Sequence, residues 1–479
     1  MEFEPVIGLE IHAELSTKTK VFCGCSTAFG AEPNTQVCPI CLGMPGVLPV
    51  LNEAALDLAL KACLVLNCKI HRRAIFERKN YYYPDLPKNY QISQKGLTLG
   101  YQGYLDVEVN DQTKRVRIAD VHLEEDAGKL LHPEHDPSIS LVDLNRAGVP
   151  LLEIVSEPDM HSLDELHAYM VAIREILMHC GISDCRMEQG SLRFEAGVSV
   201  RPQGSTQIGI RGAEIKNLNS FRTVLRAVEY EIKRQTGLWE RGERVVPETR
   251  LWDEERGVTE AMRTKEESKD YRYFPEPDLV PVIIDDARLE RLRASLPELP
   301  SVRRARFVRE YGIPTYDAGV LTATREMADF YEEAVRLGGD PKAVSNWMMG
   351  DLSRLLNAAH LEIAECKIRP QHLVELLQTI EEGTISGKIA KEVFEKMFAT
   401  GDAPRSIIER EGLRQITDTS ALEGICEQVI AENQDAVENY RKGKTKAIRF
   451  LIGQVMKATR GQANPQLVEQ LLKQKMEAS

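Results

Sequence analysis

The chain has 479 residues, 43% of them hydrophobic and 28% charged, so it reads as a folded globular protein too long for one core, with two to four domains expected. Lys and Arg number 61 against 73 Asp and Glu, and the formal charge of −12 excludes a surface built throughout for nucleic acid; any such contact needs a local patch. No apolar run reaches about 18 residues, and the acidic start Met1-Glu2-Phe3-Glu4-Pro5 has no secretory pattern, so a cytoplasmic protein with reduced cysteines is expected.

In chain order, the first predicted element is a strand at 7–14. Ile7, Leu9, Ile11 and Ala13 alternate with Gly8, Glu10, His12 and Glu14, which gives one apolar face and one face with two carboxylates around an imidazole. Next come Cys23-Gly24-Cys25 and Cys38-Pro39-Ile40-Cys41. Four thiols within nineteen residues, the second pair at knuckle spacing and Pro33-Asn34 supplying a turn, fit a closed, structural zinc site. Cys63 and Cys68 fall in or beside an apolar helix and read as core. The run Tyr81-Tyr82-Tyr83 suits either base stacking or core packing.

His122-Leu123-Glu124-Glu125-Asp126 places three carboxylates at a strand end. Glu153 and Glu157 follow on another strand, and Arg193 and Glu195 share the polar face of a third at 192–201. A solvated face explains any one acidic strand. Several of them repel unless a cation lies between, and carboxylates with guanidinium groups suit a phosphate ligand and its metal. Two helices are marked, one by the capping box Ser162-Leu163-Asp164-Glu165 before Leu166, Met170, Ile173 and Leu177, the other by Ser220 before Phe221, Leu225, Val228 and Ile232. Strands outnumber helices here without strict alternation, so the fold class is α+β with an antiparallel sheet. From Asp285 the chain reads as nearly all helix, and we expect domains at 1–292, 293–405 and 406–479. Residues 441–460 carry seven basic and no acidic side chains, a patch fit for phosphates. No P-loop and no nucleophile elbow occur.

Long blocks of this sequence resemble the B-subunit family of the tRNA-dependent aspartyl/glutamyl-tRNA amidotransferases. Among them are Gly8-Leu9-Glu10-Ile11-His12, the four-cysteine segment through Pro45-Gly46, Phe76 through Pro87, His122 through Lys129, Asn145 through Asp159, Glu214 through Phe221, Asp270 through Leu279, and Gly453 through Thr459. The resemblance runs from end to end. It implies an ATP-dependent carbon–nitrogen ligase in a heterotrimer with an amidase (glutaminase) A subunit and a small C subunit, and a catalytic domain similar to glutamine synthetase. In that family the side-chain carboxylate of a misacylated Glu-tRNA or Asp-tRNA is phosphorylated and then amidated by ammonia. The resemblance implies Glu10, His12 and Glu125, with Glu124 beside them, as catalytic. Glu10, His12, Glu125 and Glu195 are then expected on magnesium, and Arg193, Lys216, Glu214 and Glu157 around ATP. Lys442, Lys444, Lys446, Arg449 and Lys457 are expected on tRNA. One departure stands out. The family usually reads Arg-Cys-Asp-Ala-Asn where this chain has Arg193-Phe194-Glu195-Ala196-Gly197, which lengthens one carboxylate and removes one amide. A non-catalytic zinc-containing tRNA adaptor and a small-molecule amide ligase are the competing readings. Recurrent acidic strands disfavour the adaptor, and the basic tail disfavours the small-molecule ligase.

Overall fold

The computed structural model describes the chain except residues 1, 111, 134–135, 137, 206–211, 265–269, 416–418, 442–445, 460–461 and 479, with backbone alone at 263–264, 421 and 477–478. It divides into two compact units, Met1–Leu299 and Pro300–Ser479.

The first unit is built on nine strands of one sheet. In chain order its strands are β1 (Phe3–Glu14), β2 (Lys69–Ile70), β3 (Arg73–Ala74), β4 (Glu77–Asn80), β5 (Tyr90–Ser93), β6 (Gly100–Val109), β7 (Gln112–Glu125), β8 (Lys129–Leu131), β9 (Leu141–Asp143), β10 (Pro150–Ser156), β11 (Leu192–Pro202), β12 (Ala213–Leu218), β13 (Glu248–Asp253), β14 (Val258–Thr264), β15 (Phe274–Pro275) and β16 (Val282–Ile283). The large sheet has the order β14-β13-β12-β11-β1-β10-β7-β6-β2. Its described neighbours are antiparallel with one exception: β12 and β13 run parallel. The expected antiparallel sheet is therefore a mixed one, because the helix between β12 and β13 crosses over and returns the chain in the same direction.

β1 lies inside the sheet, between β10 and β11. Ile7, Leu9, Ile11 and Ala13 are buried on one face together with Leu123, Leu152, Ile154 and Ala196. The helices α1 (Glu53–Val65), α2 (Leu163–His179) and α3 (Phe221–Glu240) contribute to the same core. α2 starts as its sequence predicts: Ser162 Oγ accepts the Glu165 N–H at 3.1 Å. The box closes one residue early, however, since Glu165 Oε2 accepts from the His161 N–H at 2.7 Å. Ser220 caps α3 by accepting the Thr223 N–H at 3.0 Å. A small sheet of β15, β4 and β5 sets Lys79, Tyr81 and Gln91 along the cleft over the polar face.

Two expected boundaries cut through packed helices. α4 (Asp286–Ala294) belongs to the first unit, because Leu289 and Leu292 lie in its core and Arg288 Nε is 2.7 Å from Asp57 Oδ1. The division therefore falls after Leu299 rather than at 292. In the helical unit one core runs from Phe307 to Ile408 and a second from Leu422 to Met476. A boundary at 405 would split the helix Pro404–Glu411, whose Ile407 and Ile408 pack in the earlier core.

Ile11 is wholly buried under the centre of the sheet. Ile11→Ala should cost about 2–5 kcal/mol, read as a lower urea midpoint of the first unit.

Candidate active site

Strand register carries four charged or ionisable side chains into one row. His122 on β7 faces Glu153 on β10, Glu153 faces His12 on β1, and His12 faces Arg193 on β11. Glu10 pairs with Glu195 two residues along. Opposed residues point to the same side of a sheet. The row therefore stands on the face away from the α1–α3 core, where Glu153, His12 and Arg193 line a cleft of about 300 Å3.

Glu153 is the hub of the row. Its Oε2 is 3.2 Å from His12 Nε2 and 3.3 Å from His122 Nε2. His12 Nε2 is also 3.4 Å from Glu10 Oε1, and His122 Nε2 is 3.8 Å from Glu124 Oε2. Burial opposes charge on Glu153, but the two imidazoles prevail and hold its carboxyl well below the usual carboxylate range. Burial likewise opposes charge on both rings, and Glu153 outweighs it, so His12 and His122 are both raised. Burial and the Glu153 charge push Glu10 up to about 7, and the same two causes raise Glu124. The site carries more carboxylates than its own cations satisfy.

Two donor groups result. Glu10, His12 and Glu153 form one, and His122, Glu124 and Glu153 the other, with ligand atoms within 4.8 Å of one another in each. The oxygens fit a hard divalent cation. Arg193, Lys216 and Lys79 surround this acidic centre. Lys216 Nζ is 2.5 Å from Glu195 Oε2 and 3.4 Å from Glu214 Oε1. Arg193 donates to Asp126 Oδ2 at 2.8 Å. Beside that pair, burial and Asp126 push Glu14 up to about 8, and its buried Oε1 has no hydrogen-bond partner.

The structure thus brings together Glu10, His12, Glu124, Glu195, Arg193 and Lys216 along the cleft, with Glu214 beside Lys216. It does not bring Glu125 to them. Strand alternation turns Glu125 to the opposite face, where Lys88 Nζ lies 2.5 Å from both of its oxygens and the Ile92 N–H donates to Oε1 at 2.8 Å. Glu157 also stays out, because β10 ends at Ser156 and the Glu157 N–H donates to Arg117 O at 2.8 Å. Sequence reasoning underrates His122, Asp126 and Glu153. Period-2 spacing from Glu124 points to His122 and Asp126, whereas the central place of Glu153 needs the register of three strands.

The four cysteines do converge. The Sγ atoms of Cys23, Cys25, Cys38 and Cys41 lie within 4.8 Å of one another. A tetrahedral ion with bonds of about 2.3 Å fits such a group after slight contraction. Hydrogen bonding from the Cys23 thiol pulls Cys41 down to about 4 against burial, with the Lys20 ammonium contributing. Lys20 is wholly buried, and its Nζ lies 3.6 Å from Cys41 Sγ and 3.4 Å from Leu144 O. A buried cation offsets the excess negative charge of four thiolates around one divalent ion. Asn34 ties the loop down, accepting the Leu144 N–H on Oδ1 and donating to Val142 O at 2.8 and 2.9 Å. The cluster can therefore hold a metal. Elemental analysis should find one tightly held metal per chain at this site, absent from a Cys38→Ser, Cys41→Ser variant.

In the second unit the helix Lys446–Ala458 buries Ile448, Leu451 and Val455. Lys446, Arg449 and Lys457 are exposed with Phe450 along the opposite side. Lys442 and Lys444 lie outside the described residues. If this face holds nucleic acid, neutralising Lys446, Arg449 and Lys457 should weaken that binding and lower the steepness of its dependence on log[salt] by roughly one for each phosphate no longer neutralised; filter binding of tRNA across a salt series measures it.

Taken together, the two units define an α+β chain with a cation-ready cleft, a tetrathiol site and a helical tail. A family model described as the GatB/GatE catalytic domain matches residues 5–290, and one described as the GatB domain matches residues 329–476. The chain belongs to the GatB family. The B subunit of the aspartyl/glutamyl-tRNA(Asn/Gln) amidotransferase of Carboxydothermus hydrogenoformans is 57% identical over 99% of both chains. The proteins of the same name from Thermoanaerobacter sp. and Moorella thermoacetica are 56% and 57% identical, over 99% of this chain and 100% of theirs. Among the described residues no helix is long and apolar enough to cross a membrane.

Proposed function

We propose that this chain activates the side-chain carboxylate of a Glu or Asp esterified to the wrong tRNA, so that ammonia can turn it into the amide. A glutaminase A subunit and a small C subunit complete the assembly in this reading, the first of them releasing the ammonia. The reaction runs in the cytoplasm, where charged tRNA is found. The observation that carries the proposal is the convergence of Glu10, Glu124 and Glu153 with Arg193, Lys216 and Lys79 in one cleft, in a chain whose relatives bear the amidotransferase name.

A carboxylate is a poor acyl donor until one of its oxygens becomes a leaving group. The substrate carboxylate oxygen attacks the terminal phosphorus of ATP, ADP departs, and ammonia then displaces phosphate at the acyl carbon. A divalent cation such as magnesium would be held by Glu10, His12 and Glu153, or by His122, Glu124 and Glu153, and would neutralise phosphate charge there. Arg193 and Lys216 are placed to pair phosphate oxygens. Of the two roles open to His12, ligand and proton acceptor, its Nε2 between Glu10 and Glu153 favours the ligand, with loss of the proton it otherwise holds. Gln91 and Tyr81 close one side of the cleft and help keep water from the activated acyl group. The four cysteines suit zinc in a structural role, since no coordination position stays open. The first unit is then the catalytic part, and the core from Leu422 to Met476 the tRNA-holding tail.

The test is the assembled enzyme with misacylated tRNA, ATP, magnesium and ammonium. It should cleave ATP only with the tRNA present; cleavage with free glutamate would favour a small-molecule ligase, and none at all an adaptor. Glu124→Gln and Glu153→Gln should each lower tRNA-dependent ATP cleavage on the order of 100-fold while tRNA binding persists. Full activity in both variants removes the assignment.

A further inference from the structure

A second cleft adjoins the first. Tyr81 lines both. The second, of about 620 Å3, is open and ample for a nucleotide. Its walls are Tyr82 and Asn89 from the β4–β5 connection, Tyr90 from β5, and Asp270, Arg272 and Phe274 from the chain around β15.

Its chemistry differs from that of the acidic cleft. Tyr82 and Phe274 are 75% and 44% exposed, so core packing does not account for them. Arg78 already covers the Tyr90 and Phe274 rings, 4.2 and 5.7 Å from their centroids. Tyr82 has no ring or cation partner among the described residues. Arg272 is exposed and adopts φ +44°, a conformation that non-glycine residues take only at a cost. Its backbone is secured from both sides. Asn80 Nδ2 donates to Tyr271 O and Arg272 O at 3.2 and 2.9 Å, and the Arg272 N–H donates to Asp270 Oδ1 at 2.9 Å. An exposed ring and an exposed arginine on a secured backbone, lining one cleft, suit a nucleobase and its phosphate.

We propose that this cleft seats the 3′-terminal nucleoside of the aminoacyl-tRNA, with the base on Tyr82 and the adjoining phosphate at Arg272. The inference rests on the function proposed above. The amino acid is esterified to the ribose of that nucleoside, so a carboxylate reaching Glu10 and Lys216 leaves its base in the space next door, past Tyr81. The open mouth admits a polymer end. Lys88, the other cation on this wall, is engaged by Glu125, which leaves Arg272 as the phosphate contact.

The test uses the assembled amidotransferase with misacylated tRNA, ATP and ammonium. Tyr82→Ala should raise KM for the tRNA about tenfold, with kcat at saturation and KM for ATP little changed, and Tyr82→Phe should restore the wild-type KM. Uncharged tRNA lacking its terminal adenosine should bind the wild type and Tyr82→Ala equally, whereas full-length uncharged tRNA should distinguish them. An unchanged KM, or equal discrimination with both tRNA forms, overturns the proposal. So does a rise confined to the KM for ATP, which would assign the cleft to the ATP base. If the wild type amidates no misacylated tRNA, the underlying function fails as well.

Discussion

One oxygen of the Glu153 carboxylate lies 3.2 and 3.3 Å from the imidazoles of His12 and His122. Three neighbouring strands supply these groups, so the contact depends on the register of the middle of the sheet. A shift of one residue on β1 would turn His12 into the core and bring Ile11 or Ala13 into the cleft. Register is in turn held by the apolar face, where Ile7, Leu9, Ile11 and Ala13 are buried. The hydrophobic alternation that makes β1 a strand thus also places its cleft-facing side chains. The energetic cost falls on the polar face. Buried carboxylates crowd around a single pair of imidazoles, and Glu10 is held near 7 by burial and by Glu153. A bound cation would relieve that crowding.

Adjacent acidic residues serve opposite faces. Glu124 reaches the cleft, its Oε2 accepting from Ser93 Oγ at 3.0 Å. Glu125 turns toward Lys88 and the cysteine-bearing segment, where it lines a cavity with Lys20, Cys23 and Cys41. The tetrathiol loop and the large sheet therefore meet at the end of β7 that presents Glu124. Lys20 contributes by placing a buried positive charge against Cys41. The cavity is shared, so a change in either the thiol cluster or the Lys88–Glu125 pair should be felt by the other.

The helical unit divides its tasks by face. The helix Lys446–Ala458 turns Ile448, Leu451 and Val455 inward and keeps Lys446, Arg449 and Lys457 in solvent. In a chain of overall charge −12 that face is a local group of exposed cations.

Much of this is legible in one dimension. Period-2 alternation at 7–14 places Glu10, His12 and Glu14 on one face, four closely spaced cysteines announce a thiol group that could hold a metal, and Ser162 and Ser220 mark the starts of α2 and α3 as observed. These features are local, so spacing along the chain suffices. Resemblance to a family extends them to function, and the family models agree over 5–290 and 329–476. The limits are equally physical. The resemblance groups Glu125 with Glu10 and His12, yet alternation along β7 assigns that face to Glu124. Glu157 is expected near the nucleotide, but β10 stops at Ser156. The parallel β12–β13 pair, the ends of both cores and the central place of Glu153 depend on pairings between residues far apart in sequence. Alternation fixes which side of its own strand a residue faces; only the assembled sheet decides which residues of other strands stand opposite it.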